Sequence, residues 1–428
     1  MIKTKMSVSV LLALLAFFSS TIAANEGTIA FIGATIIDGT DAPPLENGVL
    51  VITDGRIQTV GPRSDVTLPQ DAEVVDVSEK YIMPGLINAH GHVGATIGLN
   101  GNGGYTRNNL LRQLSLYARY GVTAVNSLGG DFGPGFRLRN EQLNNDLSRA
   151  RIYVAGSVVV GDSEQAIRNE VNRNADAGAN FIKVRIDDNL GSTQKMSRPF
   201  FEALVDQAHK RRLPVAVHLY YLDDAKFMLR ANADIIAHSV RDLPVDSEFI
   251  DMMTTSDTCY IPTLTREVST YVYESVPDFF EDPYFLKEVE PAILDELSSP
   301  ERMSQVAGSR SAQIYKAQLP TAMDNVRSLH GAGVRVAMGT DTGPPARFQG
   351  YFEHMEMHMM VDAGMSAHDA IRASTGVAAD CIGMGDIGTL EPGKWGDFSI
   401  LTENPTVDIR NSQTIERVFI AGNLVPDE

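Results

Sequence analysis

From position 82 onward, short β-like apolar runs alternate with amphipathic stretches at helical spacing. The runs end near His92, Leu128, Gly156, Ile186, Tyr220, Val240, Leu264 and Asp341. Between them, 108–119, 164–176, 198–212, 223–231 and 311–330 read as helices; Leu110, Leu111, Leu114 and Tyr117 mark the apolar stripe of the first. Strand alternating with helix predicts an α/β fold, a (β/α)8 TIM barrel over 81–383, with a doubly wound sheet as runner-up.

Polar residues interrupt these runs at matched places. His90-Gly91-His92 follows Tyr81 to Ile87; Lys183 lies in Phe181 to Val184, His218 ends Val215 to His218, His238 ends Ile235 to His238, and Asp341 ends Val336 to Asp341. Successive strand residues alternate faces, so His90 and His92 point the same way and together grip a cation. One His-x-His is weak, but five matched stations are hard to explain without a metal. A closed ring brings the ends of strands 1, 4, 5, 6 and 8 to one mouth, where an open sheet spreads them, and this favours the barrel.

The flanks differ in texture. Short β-like runs over 25–80 and 384–428, among them Val49 to Ile52 and Val418 to Ala421, carry too little apolar surface to stand alone. Together they predict one small β-sandwich built from both termini. Residues 265–309, rich in aromatics and acids, form the longest departure from the barrel rhythm. They read either as a lid or substrate wall, or as a helical insertion on the outer helices.

The formal charge of −18 argues against a nucleic-acid partner. Composition leaves a homo-oligomer open. Lys3 and Lys5, the apolar run from Val8 to Phe18 and the small residues Ser19 to Ala24 read as a signal peptide over 1–24, with no stable membrane anchor. The expected location is periplasmic or secreted. Two cysteines, Cys259 and Cys381, do not make a disulfide framework and read as buried free thiols.

His90-x-His92, Lys183, His218, His238 and Asp341, with a terminus-built sandwich, resemble the amidohydrolase superfamily of metal-dependent barrel hydrolases. Gly178 to Lys183, Ala363-Gly364-Met365, Ala373-Ser374-Thr375 and Gly393 to Asp397 resemble its imidazolonepropionase-like and Xaa-Pro dipeptidase group. Asn88 departs from the acid that commonly precedes the His-x-His pair, and is expected behind the ligands. An ammonium has no lone pair for a cation. The resemblance therefore implies N6-carboxylation of Lys183, giving a carbamate that bridges two divalent metals. His90, His92 and Asp341 then hold one metal, and His218 and His238 the other; nitrogen and oxygen ligands suit zinc. The rival is a lysine paired with an acid.

Water bridging two such cations becomes hydroxide near neutral pH. Asp341 is the expected proton carrier between that nucleophile and the leaving nitrogen. Tyr220 shares the face of His218, and the similar His-x-Tyr of the dipeptidases implies that its phenol polarises the substrate carbonyl; the rival is a packing tyrosine. Arg185 shares the face of Lys183 and is positioned for a substrate carboxylate, or for a salt bridge to Asp187 or Asp188. His209, His330 and His368 read as solvent-facing, and His354 and His358 as buried packing. Tyr221 stands where related deaminases usually place a glutamate, which disfavours deamination. The expected activity is hydrolysis of a C–N amide bond in a dipeptide such as Xaa-Pro or an N-acyl amino acid. Phosphotriester or lactone hydrolysis on the same site, or a catalytically silent binding protein, are the alternatives.

Overall fold

A computed structural model describes residues 27–427. The expected signal segment over 1–24 lies outside the described residues.

Five strands come first: β1 (Thr28–Ile36), β2 (Leu45–Thr53), β3 (Arg56–Pro62), β4 (Glu73–Asp76) and β5 (Tyr81–Pro84). β6 (Leu86–Gly91), β7 (Val122–Ser127) and β8 (Arg151–Val154) then pair in parallel. So do β9 (Ile182–Arg185), β10 (Val215–His218), β11 (Ile235–Ala237) and β12 (Cys259–Ile261). Parallel bridges Val159–Val184, Tyr260–Val336 and Gly91–Thr342 join the two groups, so the hydrogen bonding returns to β6. β13 (Phe398–Leu401), β14 (Ile415–Ile420) and β15 (Asn423–Leu424) add to β5, and both flanks share one sheet ordered β15-β14-β13-β5-β1-β2-β3, with β4 on β1.

The apolar run read as continuous from Tyr81 is cut at Gly85. β5 joins the terminal sheet and β6 the parallel circuit. A Cβ at Gly85 would stand 2.1 Å from Thr123 Oγ1, so only glycine lets the chain pass this close to β7.

Alternate strand residues feed two separate cores, the period-2 pattern of a sheet buried on both faces. Val215, Val217 and Ile236 pack outward with helix residues such as Leu114, Phe201 and Met228. Ala216, Ile235 and Ala237 join Ile87, Ala89 and Ala124 in the other core. The helices over these strands are α1 (Arg107–Arg119), α2 (Gly133–Asn140), α3 (Glu164–Asp176), α4 (Arg198–Lys210), α5 (Leu222–Arg230) and α6 (Ser247–Thr255). Their starts are written in the sequence: Thr106, Ser163 and Asp246 each accept a first-turn N–H of α1, α3 and α6.

The segment after β12 is helical. It comprises α7 (Leu264–Tyr271), α8 (Pro283–Leu286), α9 (Pro291–Leu297) and α10 (Pro300–Ala307), followed by α11 (Arg310–Gly331) and α12 (Tyr351–Asp362). Residues 265–309 pack in part on the outer helices. Phe279, Phe280 and Phe285 pack with Tyr120, which caps α1, and with Phe352 of α12, whereas the first turn of α7 carries Arg266, whose Nε lies 3.9 Å from Asp341 Oδ2.

The expectation of two free thiols is wrong. Cys259 of β12 and Cys381, the last residue of α14 (Gly376–Cys381), form a disulfide, with α13 (Ala367–Ala373) preceding that helix. The chain ordering hid this contact: 122 residues separate the cysteines, yet their Cα atoms lie 5.8 Å apart. Among the described residues, no helix is long and apolar enough to cross a membrane.

Candidate metal centre

The six expected ligands lie near one another: His90 and His92 at the end of β6, Lys183 within β9, His218 ending β10, His238 just after β11, and Asp341 beside the isolated bridge at Thr342. His90 Nε2 lies 3.2 Å from Lys183 Nζ and 3.6 Å from Asp341 Oδ1, and His92 Nε2 lies 2.9 Å from the same oxygen. The His238 ring is 4.6 Å from that of His90 and 4.2 Å from that of His218, centroid to centroid. Ligand atoms of His90, His238 and Asp341 all fall within 4.8 Å of one another.

Regular strand geometry accounts for Lys183 and His218, which share an inward face with Phe181 and Ala216. It does not account for the rest. The β6 ladder shifts register between Asn88 and Gly91, so simple alternation fails just where His90 and His92 are placed. His238, Thr263 and Asp341 adopt φ of 102°, 50° and 57°, in the left-handed region that non-glycine residues avoid. Three such residues at adjacent strand ends hold strain at one place, as functional sites do.

The donor chemistry fits cations. Burial holds the His90 and His238 rings well below their usual range and takes His218 down to about 3, so all three are neutral and keep a lone pair. Burial also pushes the Lys183 amine down to about 7, which leaves a share of it unprotonated and able to be carboxylated. Burial opposes the charge on Asp341, but Arg347 and His92 beside it hold its carboxyl well below the usual carboxylate range. Outer partners fix the rings: His92 Nδ1 donates to Gly129 O at 3.1 Å, and His238 Nδ1 lies 2.7 Å from Thr263 Oγ1. His90 presents Nε2 to Lys183 and Asp341, while its buried Nδ1 has no hydrogen-bond partner among the described residues.

Tyr220, two residues after His218, is buried. Its hydroxyl donates to Gln318 Oε1, and the Arg241 guanidinium lies 4.7 Å from its ring. Arg185 makes the salt bridge that was the rival reading: Nε donates to Asp187 Oδ1 at 2.7 Å, and Nη2 to Asn189 Oδ1 at 3.1 Å. His209 and His330 are half-exposed beside Asp234 and Asp369, and His354 is fully buried.

Several contacts and residues escape the sequence reading. Asp187, expected only beside Arg185, also has Oδ2 3.2 Å from His218 Nε2; its place four residues after Lys183 is the available signal. Arg347 donates to Asp341 from the loop before α12, and Arg266 Nε stands 3.9 Å from the same carboxylate. Glu267 is fully buried between Arg266 and Arg241, 3.0 and 3.2 Å away. No periodicity marks these loop and helix-start positions.

Residues 81–425 match the amidohydrolase family. Ochratoxinase of Aspergillus niger is 23% identical over 464 aligned positions, covering 94% of this chain and 87% of the relative. Among solved structures, a Xaa-Pro dipeptidase with methionine bound in its active site is similar at a TM-score of 0.74 and 20% identity, covering 93% of this chain and 99% of the other. Molinate hydrolase is similar at a TM-score of 0.73 and 20% identity, covering 94% and 95%. At such identities the likeness to these structures is one of fold.

Proposed function

This chain belongs to the amidohydrolase family, and from that premise we propose that it is an exported two-metal hydrolase of a C–N amide bond. The substrate is a dipeptide such as Xaa-Pro, or an N-acyl amino acid. In this reading the parallel circuit is a (β/α)8 barrel over 81–383, and the terminal sheet is its small companion β-sandwich. The observation that carries the reading is the clustering of His90, Lys183, His238 and Asp341, all buried, with His92 and His218 half-buried beside them.

His90, His92 and Asp341 would hold one divalent cation and His218 and His238 a second, with N6-carboxylated Lys183 as a shared anionic ligand; zinc would suit this set. When bound, the cations supply an oxygen nucleophile at neutral pH and polarise the scissile carbonyl. Asp341 accepts the nucleophile's proton and passes it to the departing nitrogen, which must leave protonated. Arg347 keeps that carboxylate ionised and oriented between transfers. Tyr220 exchanges its bond to Gln318 for one to the substrate carbonyl oxygen, where negative charge develops. Arg185, half-exposed and braced by Asp187, receives a substrate carboxylate.

The expected signal segment and the Cys259–Cys381 bond both support export to an oxidising compartment, periplasmic or extracellular. The testing experiment is a screen of zinc-loaded protein against Xaa-Pro, Xaa-Arg and N-acyl amino acid libraries, with release of the free amine as readout. Turnover of several amides is expected. Silence on every amide, with turnover of esters or phosphotriesters, reverses the assignment.

A further inference from the structure

Glu353 is fully buried in the first turn of α12, and the chemistry above does not use it. Its Oε1 accepts from Asn88 Nδ2 at 2.6 Å, from Thr340 Oγ1 at 2.7 Å and from Thr342 Oγ1 at 2.7 Å. Its Oε2 accepts from the Gly350 N–H at 2.6 Å. Asn88 completes the arrangement: its Oδ1 accepts from the backbone N–H of His90 at 3.0 Å and of Thr340 at 3.3 Å. One carboxylate therefore gathers both chain neighbours of Asp341 and the residue two before His90.

These bonds lie beside backbone ties between the same two segments: the N–H groups of Thr340 and Asp341 donate to His90 O at 3.0 and 2.6 Å, and that of His92 to Thr342 O at 2.7 Å. The register of β6 slips between Asn88 and Gly91, and Asp341 sits at a φ of 57°. That slip is in the pairing with β7, and the Asn88 and Glu353 side chains brace the two ligand-bearing ends in addition to their direct backbone bonds. The chemistry of the pair is matched. A carboxylate only accepts, whereas an amide offers donors on one atom and an acceptor on the other. A second carboxylate at position 88 would place two anions in hydrogen-bond contact inside the protein. A second amide at 353 would face the Asn88 donor with a donor or lose an acceptor from a crowd of donors.

We propose that Asn88 and Glu353 form a matched amide–carboxylate clamp that sets His90 against Asp341, making Glu353 a positioning residue of the metal centre. The inference rests on the metal-centre reading above. It assigns no contact between Glu353 and substrate or cation. Its distinctive consequence is that the two positions are exchangeable in charge. With a carboxylate at 88 and an amide at 353, one carboxylate oxygen still accepts from His90 N and Thr340 N. The other accepts from the new amide, and the threonine hydroxyls rotate to suit.

The test compares full-length wild type with Asn88→Asp, Glu353→Gln and the double variant carrying both changes. Zinc per chain is measured after dialysis against a graded chelator, and the visible spectrum of the cobalt-substituted protein reports ligand geometry. Each single variant is expected to bind zinc at least about tenfold more weakly, and the double variant to recover to within about threefold of wild type with its cobalt spectrum restored. Single variants with wild-type affinity overturn the proposal. So does a double variant no better than the worse single, whether it folds without metal or fails to fold. A wild-type chain that takes up no cation fails at an earlier point and overturns the metal-centre reading together with the clamp.

Discussion

The imidazole of His238 is held through Nδ1 by the hydroxyl of Thr263, 2.7 Å away, and both residues have left-handed backbone conformations at the ends of neighbouring strands. The contact fixes which ring nitrogen is free. An Nδ1 engaged with Thr263 leaves Nε2 to face His90 and His218. Thr263→Val keeps the shape and removes the partner. We expect roughly tenfold or greater loss of zinc affinity with a small change in melting temperature. Unchanged zinc retention under chelator competition would show that the hydroxyl does not orient the ring.

Lys183→Ala removes the amine that lies 3.2 Å from His90 Nε2. The expected result is loss of amide hydrolysis, partly regained when short carboxylic acids are added to occupy the vacated bridging place. A variant that is fully active without any added acid removes the carbamate from the proposed chemistry. Failure of the acids alone, with zinc content intact, points to the paired-lysine alternative.

How much of this could be read from sequence depended on local regularity. Lys183 and His218 stand on short regular strands, so the period-2 rule places them correctly. His90 and His92 were recognised by their spacing, although the ladder beneath them is irregular and the stated reason for their shared direction does not hold there. Arg347, Arg266 and Glu353 reach the site from a loop, a helix start and a later helix; their relevance comes from tertiary closeness that no window of sequence contains. Asn88 was expected to stand behind the ligands, and it does, but its partner lies 265 residues away. The split at Gly85 was equally invisible, because apolar residues continue on both sides of it.

The Cys259–Cys381 bond closes a loop of 122 residues between β12 and α14. Constraining a chain of that length disfavours the unfolded state by up to about 5 kcal/mol in the loop-entropy account. Reduction under non-denaturing conditions, or Cys381→Ser, should therefore lower the melting temperature by several degrees while leaving zinc stoichiometry unchanged, since neither cysteine is a ligand. Melting curves with and without reductant decide it. Identical curves mean that the bond contributes nothing measurable.

His354 supplies a pH dependence independent of the metal centre. It is fully buried in α12, with Nδ1 2.9 Å from Ser412 Oγ and Nε2 near the Tyr120 carbonyl and the Tyr284 hydroxyl. Burial pushes its pKa down to about 3, opposed by the hydrogen bond to the Tyr120 carbonyl, while His358 and Lys287 add to the lowering. The unfolded ring protonates near 6.5. Its stabilising contribution is thus whole above pH 6.5 and is lost as pH falls from 6.5 toward 3. Between pH 6.5 and 5 the loss should be about 2 kcal/mol. In His354→Gln, the melting temperature should start lower at pH 7 and fall less steeply on acidification. Parallel curves for the two proteins would assign the acid sensitivity to another group.

Tyr220 separates catalysis from packing most directly, because its ring and its hydroxyl have different surroundings. The ring lies against Arg241 at 4.7 Å and against Tyr315 at 6.2 Å, contacts that phenylalanine would keep. Among the described residues the hydroxyl bonds only Gln318, and burial pushes its pKa up, so it stays protonated and can donate. Removing the hydroxyl costs little if Tyr220 merely packs. If it donates to the developing oxyanion, Tyr220→Phe should lower kcat by roughly 100-fold or more and leave KM nearly unchanged. Gln318→Leu supplies the complement: it frees the phenol without removing it, so kcat should stay within a few-fold of wild type. A fall in kcat for Gln318→Leu as large as that for Tyr220→Phe would mean that the pair acts as a structural unit, and the oxyanion role would pass to another donor at the mouth, with Arg266 and Arg241 the nearest cations to test.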